Sequence, residues 1–291
     1  MSSLPTEDDA ASSRRPRVAL ICHHDAPLHF EGLARWIASW ATLAGILVVH
    51  EPGGLLWKRL KRERRRVGLP RLADVLAFRA YYRFALARRD EAWKREQLES
   101  LAHRYPPVGA EVPVLTTPSP NSADAERFLR DARPDVVLAL CKNILKESVF
   151  GIPRHGTFVC HPGICPEYRN AHGCFWALAS DDTEHVGLTL LRIDRGIDTG
   201  PVFGYFSYPF DEVHESHIVI QHRVLLDNLD ALADTLRSIV SGHATPIPTT
   251  ARPSHEWGQP WLTKYLRWKR QAKRRAAARP SARSSAPVRQ T

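Results

Sequence analysis

Four short runs at residues 18–22 (VALIC), 46–50 (ILVVH), 112–116 (VPVLT) and 136–141 (VVLALC) are apolar at nearly every position and bounded by polar residues, Pro or Gly. A strand with one wet face alternates apolar and polar residues, so a run without alternation needs cover on both faces. Segments of helical character separate the runs. The pattern therefore predicts a doubly wound, mostly parallel α/β sheet with helices on either side. Residues 122–133 should form one such helix, with Ser122 as N-cap ahead of the fourth strand. Between the second and third strands the chain is far longer than an ordinary crossover, which predicts a helical insertion at about residues 55–105. Its aromatic residues, Trp57, Phe78, Tyr81, Tyr82, Phe84 and Trp93, are expected to pack against the domain.

Residues 1–16 and 276–291 are rich in Ser, Ala, Pro and Arg without apolar periodicity, and are expected to be disordered. The main domain should span 17–250. Residues 215–240 read as one helix, whose apolar face includes Leu225, Leu229, Leu232 and Leu236. Residues 251–275 read as a docked segment carrying Trp257, Trp261, Tyr265 and Trp268 among basic residues.

No apolar run approaches the roughly 20 residues that span a bilayer, and the N-terminus lacks the apolar centre of a signal peptide. A cytoplasmic protein is expected. The five cysteines, an odd number, read as buried thiols rather than a disulfide framework. Lys and Arg number 41 against 31 Asp and Glu, a net charge of +10, with the excess gathered at 58–66 and 264–289. A solvated helix face and a solubilising tail are the favoured readings, since no zinc finger, KH or RNP pattern suggests nucleic acid. The sequence specifies no oligomeric state.

The first strand ends in Cys22-His23-His24-Asp25-Ala26, where a dinucleotide-binding protein carries a glycine-rich turn. Its absence argues against a dinucleotide, and against a substrate held by its phosphate on that loop. His23, His24 and Asp25 are either substrate-site residues or solvent-facing.

Residues 156–161 predict a fifth strand stopped by Pro162, with His161 at its end, Val159 on the same face and Cys160 on the other. Two further strands, at 186–193 and 202–208, are joined by a turn-rich loop that can hold Asp198 beside His161. Such a pair suits proton transfer, because imidazole exchanges a proton near neutral pH and the carboxylate orients it. Cys160, His161, Cys165, His172 and Cys174 crowd together, yet they form no C-x-x-C pair and Cys160 should point away from His161, so no metal is expected.

The ordered series His161-Pro162-Gly163, Pro166-Glu167-Tyr168-Arg169, Trp176-Ala177-Leu178, Gly187-Leu188-Thr189 and Asp198-Thr199-Gly200-Pro201 resembles the catalytic domain of the formyltransferases. That family includes enzymes acting on glycinamide ribonucleotide, methionyl-tRNA and sugar amines, and a formyltetrahydrofolate hydrolase; the resemblance extends over roughly 17–245. It implies a Rossmann-like fold and transfer of a formyl group from 10-formyltetrahydrofolate to an amine by an Asn, a His and an Asp. By motif position, His161 and Asp198 are the last two. The resemblance further implies a substrate loop containing Pro162, Gly163, Tyr168, Arg169, His172, Thr199 and Gly200, with the pterin near Lys142, Ile144, Leu145, Ile193 and Asp194.

The family's asparagine lies two residues before the histidine, where this chain has Val159. Its amide binds developing oxyanion charge, a donor worth on the order of 3 kcal/mol. Asn143 and Asn170 are candidate replacements, with turn-making as the other role open to each. The resemblance also implies that initiator tRNA needs a further β-domain, for which this chain has too few ordered residues. With the glycine-rich loop missing, glycinamide ribonucleotide is disfavoured too, which leaves a small-molecule amine, on a sugar or a peptidic natural product. Hydrolysis of the formyl donor and a non-catalytic binding role are the alternatives.

Overall fold

A computed structural model describes residues 15–51 and 55–278, with backbone alone at 55–62, 66 and 67. Strands β1 (Arg17–His23), β2 (Thr42–Val49), β3 (Val114–Thr117), β4 (Val136–Leu140) and β5 (Thr157–His161) lie parallel in the order β3-β2-β1-β4-β5. Two-residue β6 (Arg169–Asn170) leaves this sheet. Next, β7 (Leu188–Arg192) adds antiparallel to β5, and β8 (Val202–Phe206) antiparallel to β7. A late two-residue strand, β9 (Glu256–Trp257), pairs with β6.

The helices are α1 (Ala34–Trp40), α2 (Leu55–Tyr81), α3 (Ala87–Arg104), α4 (Ala123–Ala132), α5 (Glu147–Phe150), α6 (Gly173–Ala179), α7 (His217–Leu226), α8 (Leu229–Val240) and α9 (Leu262–Ala278). Both sheet faces are covered, which is why the central strands are apolar throughout. On one face Leu20, Cys22, Leu138, Phe158 and Leu190 meet α1 and α6 to α9. On the other, Ile21, Leu47, Val137 and Ala139 meet Ala125 and Leu129 of α4 and Val149 of α5. Ser122 caps α4, its hydroxyl accepting from the Ala125 N–H at 3.2 Å. Ser122→Ala should lower stability by about 1 kcal/mol, read as a lower denaturant midpoint with an unchanged slope.

Between β2 and β3 run α2, which is two helices broken at Gly68 (φ +78°), a π-helical turn, Tyr82–Leu86, and α3. Phe78 is buried, touching Phe175, His217 and Tyr265, and Tyr81, Tyr82 and Trp93 pack against the core. Phe84 departs from expectation and is 89% exposed, because Tyr82 and Leu86 take the inward positions of the π-turn and leave the residue between them facing out. The side chains of Trp57 and of the run 58–62 lie outside the described residues.

The single helix predicted at 215–240 is two helices. Asn228 ends the first turn of chain by donating its amide to the Val224 and Ser207 carbonyls, at 2.8 and 3.1 Å. The C-terminal segment, expected to dock over 251–275, is helical from Leu262 to Ala278, with Tyr265, Trp268 and Ala272 buried. Nor is its charge purely a solvated face: Lys269 donates to the Glu212 and Val213 carbonyls, and Arg275 pairs with Glu212 and Asp181. Burial pushes the Lys269 amine down to about 8. At the other end, the Pro16 carbonyl accepts from the Thr42 N–H at 2.9 Å, so order begins before residue 17. The rest of both predicted disordered ends lies outside the described residues.

Candidate active site

His161 closes β5 directly opposite Thr189 of β7. The Thr189 hydroxyl donates to the Gly163 carbonyl at 2.6 Å and accepts from the Cys165 N–H at 3.0 Å, which pins the turn that follows His161. Only glycine fits at 163, since a Cβ there would lie 2.9 Å from His161 Nε2 and 2.7 Å from the Gly173 Cα. The turn brings the Tyr168 carbonyl to 2.7 Å from Nε2. A carbonyl only accepts, so Nε2 carries the proton.

The other ring nitrogen, Nδ1, lies 3.3 Å from Asp198 Oδ2, facing the carboxylate where an imidazolium's second proton would point. The same Oδ2 accepts from the Asn170 N–H at 2.8 Å. His161 is 4% exposed with both nitrogens engaged, so the Tyr168 carbonyl closes Nε2 to any other group while it stays in place.

The loop carrying Asp198 is braced from within. Asp194 accepts from the Gly196 N–H at 2.9 Å and the Thr199 hydroxyl at 2.7 Å, while Arg169 donates to the Ile197 carbonyl at 2.7 Å. Asp194 and Thr199 are thus spent on the loop itself. Gly200 runs against the Arg192 carbonyl, and Pro162 accepts from the Cys174 N–H to seat α6. Ile193 packs against the cluster that holds Leu145, and Arg195 of the later loop pairs at 2.7 Å with Glu147, two residues past Leu145; Lys142 and Ile144 are exposed.

The two candidate donors differ. Asn170, at φ +76°, gives its amide to the Trp257 carbonyl at 2.7 Å and Glu256 at 3.1 Å, and so ties β6 to β9. Asn143 gives one N–H to Glu51 at 2.9 Å, and its buried Oδ1 has no partner among the described residues. Val159 packs with Cys165, Leu191, Val202 and Tyr205, whose hydroxyl is taken up by the Cys165 carbonyl and Arg252.

His23 Nε2 accepts from the Lys142 N–H at 3.0 Å and joins the ends of β1 and β4; burial lowers its pKa. His24 and Asp25 are exposed. His172 precedes α6 in the left-handed region at φ +57°. Sequence reasoning missed His29, His217, His222 and Asp90; the His217 ring lies 6.0 Å from that of His172, and the His29 and His222 rings stack 5.9 Å apart. Asp90 is fully buried and accepts from the Ser216 hydroxyl at 2.7 Å; His217 is enclosed by Phe78, Phe175 and Tyr265. Burial, ahead of nearby cations, pushes His29 down to about 3 and His172 to about 4, and burial likewise holds His222 at about 4. Their only sequence signal is a polar residue on an otherwise apolar helical stripe.

Burial pushes the Cys22, Cys160 and Cys174 thiols up to about 12. No group of three or more His, Cys, Asp or Glu side chains converges on a metal position among the described residues. An open cleft of about 700 Å³ beside Gly156, Arg192 and Phe203 lies where β5 begins, at the end opposite His161.

A sequence profile of the formyl transferase family matches residues 91–236. The methionyl-tRNA formyltransferase of Bacteroides thetaiotaomicron is 30% identical over 147 residues, 45% of this chain and 45% of that protein. The Thermotoga maritima enzyme of the same name is 31% identical over 129 residues, 42% and 41% of the two chains. The chain thus spans about half the length of the curated relatives it matches. A sugar N-formyltransferase from a Shewanella species superposes with TM-score 0.50 at 14% identity, covering 83% of this chain and 76% of that one. The phosphoribosylglycinamide formyltransferase of Anaplasma phagocytophilum gives 0.50 at 15% identity, covering 79% and 89%. At such identities the likeness is one of fold. The profile covers half of the chain and runs from α3 through both His161 and Asp198 into α8, and on that match the chain belongs to the formyl transferase family.

Proposed function

We propose that this protein transfers a formyl group from 10-formyltetrahydrofolate to a small-molecule amine, with His161 and Asp198 moving the proton. The observation that carries this reading is the buried His161–Asp198 contact of 3.3 Å, inside the span that the family profile matches. The residues fit a folate: the loops at 142–145 and 193–198 adjoin, and the orphaned Asn143 oxygen offers a buried acceptor to a pterin N–H. When bound, the folate would supply the activated formyl carbon.

Once the ring proton sits on Nδ1 against Asp198 and the Tyr168 carbonyl has withdrawn, His161 Nε2 would take the proton that the amine sheds as its bond to that carbon forms, and return it to the departing nitrogen. Asp198 would stabilise the ring's charge between those events. With the Asn170 amide engaged by β9, Asn143 is the side chain left to donate toward the carbonyl oxygen as negative charge develops there.

A panel of amines incubated with the protein, with and without 10-formyltetrahydrofolate, tests the reaction by mass spectrometry. A donor-dependent gain of one formyl group is expected. Formate released without any formylated amine would favour hydrolysis, and neither product would sink both readings. Asn143→Ala should lower kcat roughly a hundredfold with the fold intact by circular dichroism. An unchanged kcat would remove Asn143 from the reaction.

A further inference from the structure

The second half of α2, after the break at Gly68, buries Leu72, Val75 and Phe78 and turns its opposite face outward. That outward face is Leu69, Ala73, Leu76, Ala77 and Ala80, a helical repeat of apolar residues that are all exposed. A helix with one face on a core ordinarily keeps polar residues on the other, and one that is apolar on both is ordinarily covered on both. The π-helical turn extends the row by Phe84. Leu69, Leu76 and Phe84 are 68%, 43% and 89% exposed, three of the seven large apolar side chains that are exposed among the described residues. They lie within about 22 Å along one helical rod. Such clustering, unlike single exposed residues, marks a surface that meets a partner.

The charge beside the row has one sign. Arg79 and Arg83 follow Leu76 at helical spacing, both exposed, and no carboxylate pairs with either among the described residues. The carboxylates of α2 are withdrawn: Glu63 is buried, and Asp74 accepts from the Thr263 N–H at 3.0 Å. The adjoining α9 packs on α2 through Tyr265, whose ring lies 5.3 Å from Phe78 and 5.6 Å from Tyr81. No Asp or Glu occurs in α9, and its exposed Leu266 stands among Arg267, Arg270, Lys273 and Arg274.

We propose that this face docks on an anionic phospholipid surface, with Leu69, Leu76 and Phe84 entering the boundary between headgroups and acyl chains while Arg79 and Arg83 meet the lipid phosphates. Charge decides among the surfaces that could cover it. A second copy related by a two-fold axis would set these arginines against their own counterparts, on a chain of net charge +10. Nucleic acid would satisfy the arginines but leave Leu69 and Leu76 against phosphates. An anionic bilayer surface satisfies both kinds of side chain at once. The contact is peripheral, since no helix among the described residues is long and apolar enough to cross a membrane. It does not depend on the reaction proposed for His161.

Co-sedimentation of the full chain with vesicles at low salt tests the proposal, using phosphatidylcholine alone and phosphatidylcholine mixed with phosphatidylglycerol in equal parts. Binding to the mixed vesicles, and none to phosphatidylcholine alone, is expected. Phe84→Ser should weaken it about tenfold or more, and Arg79→Gln combined with Arg83→Gln roughly thirtyfold. Phe84 is 89% exposed, so its replacement leaves the fold in place, which circular dichroism checks. Failure to bind the mixed vesicles overturns the proposal. So does undiminished binding by Phe84→Ser, which would assign the attraction to the basic C-terminal run instead. If the chain ignores vesicles but binds polyuridine, and Phe84→Ser abolishes that binding, the face belongs to nucleic acid. If it ignores vesicles and forms a dimer in sedimentation velocity that Phe84→Ser dissociates, the face belongs to a second copy.

Discussion

Replacing His161 with alanine should lower kcat/KM for formyl transfer by roughly a thousandfold, about 4 kcal/mol of transition-state stabilisation. The ring is the proton carrier of the proposed reaction, and no other imidazole touches Asp198 among the described residues. Asp198→Asn should lose nearly as much. The amide keeps an oxygen for the Asn170 N–H, so the loop holds, but it cannot balance an imidazolium. Both rates should be read beside near-ultraviolet circular dichroism, because His161 is buried and its loss leaves a small cavity. A His161→Ala protein that retained more than about a tenth of wild-type kcat/KM would remove the histidine from the chemistry.

Trp268→Ala is the substitution with the largest expected effect on stability. Trp268 is 0% exposed on α9, packed edge to face on Tyr265, with its indole N–H donating to Glu212 at 3.2 Å. Truncating a fully buried tryptophan costs about 3–5 kcal/mol through lost transfer energy and the cavity left behind. In a domain of this size that is roughly a 10 °C fall in Tm. Lys269, seated on the Glu212 and Val213 carbonyls beside the same indole, would loosen with it. A fall of less than about 1 kcal/mol in calorimetry would mean that α9 is an appendage rather than part of the core.

The central strands were legible in the sequence because burial on both faces removes alternation, and that signal needs no long-range information. Ser122 announced α4 for the same local reason. Strand ends were less legible: β2 begins at Thr42, before the predicted residue 46, because Gly45 interrupts the apolar run and the pairing with β1 continues past it through a one-residue register shift at Ala44. The break at Asn228 was hidden, since Leu225, Leu226 and Leu229 stay in phase across it and the interrupting bonds depend on Ser207, far away in the chain. His161 and Asp198 stood out through motif order. The buried imidazoles did not. His29 and His222 stack only because the π-helical turn Leu28–Leu33 meets α7, and no local pattern encodes that meeting. Asn170 was readable as a donor and as a turn residue alike; the structure commits its amide to β9, a partner 87 positions along the chain.

That commitment bears on how the protein is made. Asp198 is steadied by the Asn170 N–H, and Asn170 by Trp257, whose indole in turn bonds the Glu167 carbonyl; Arg252 clasps the Glu167 carboxylate with both arms. During synthesis, every residue of the reacting pair emerges from the ribosome well before residues 252–257 exist. A growing chain can therefore fold its sheet while the reacting centre is still unbraced, and competence arrives late, when the last strand closes over the turn that holds the carboxylate.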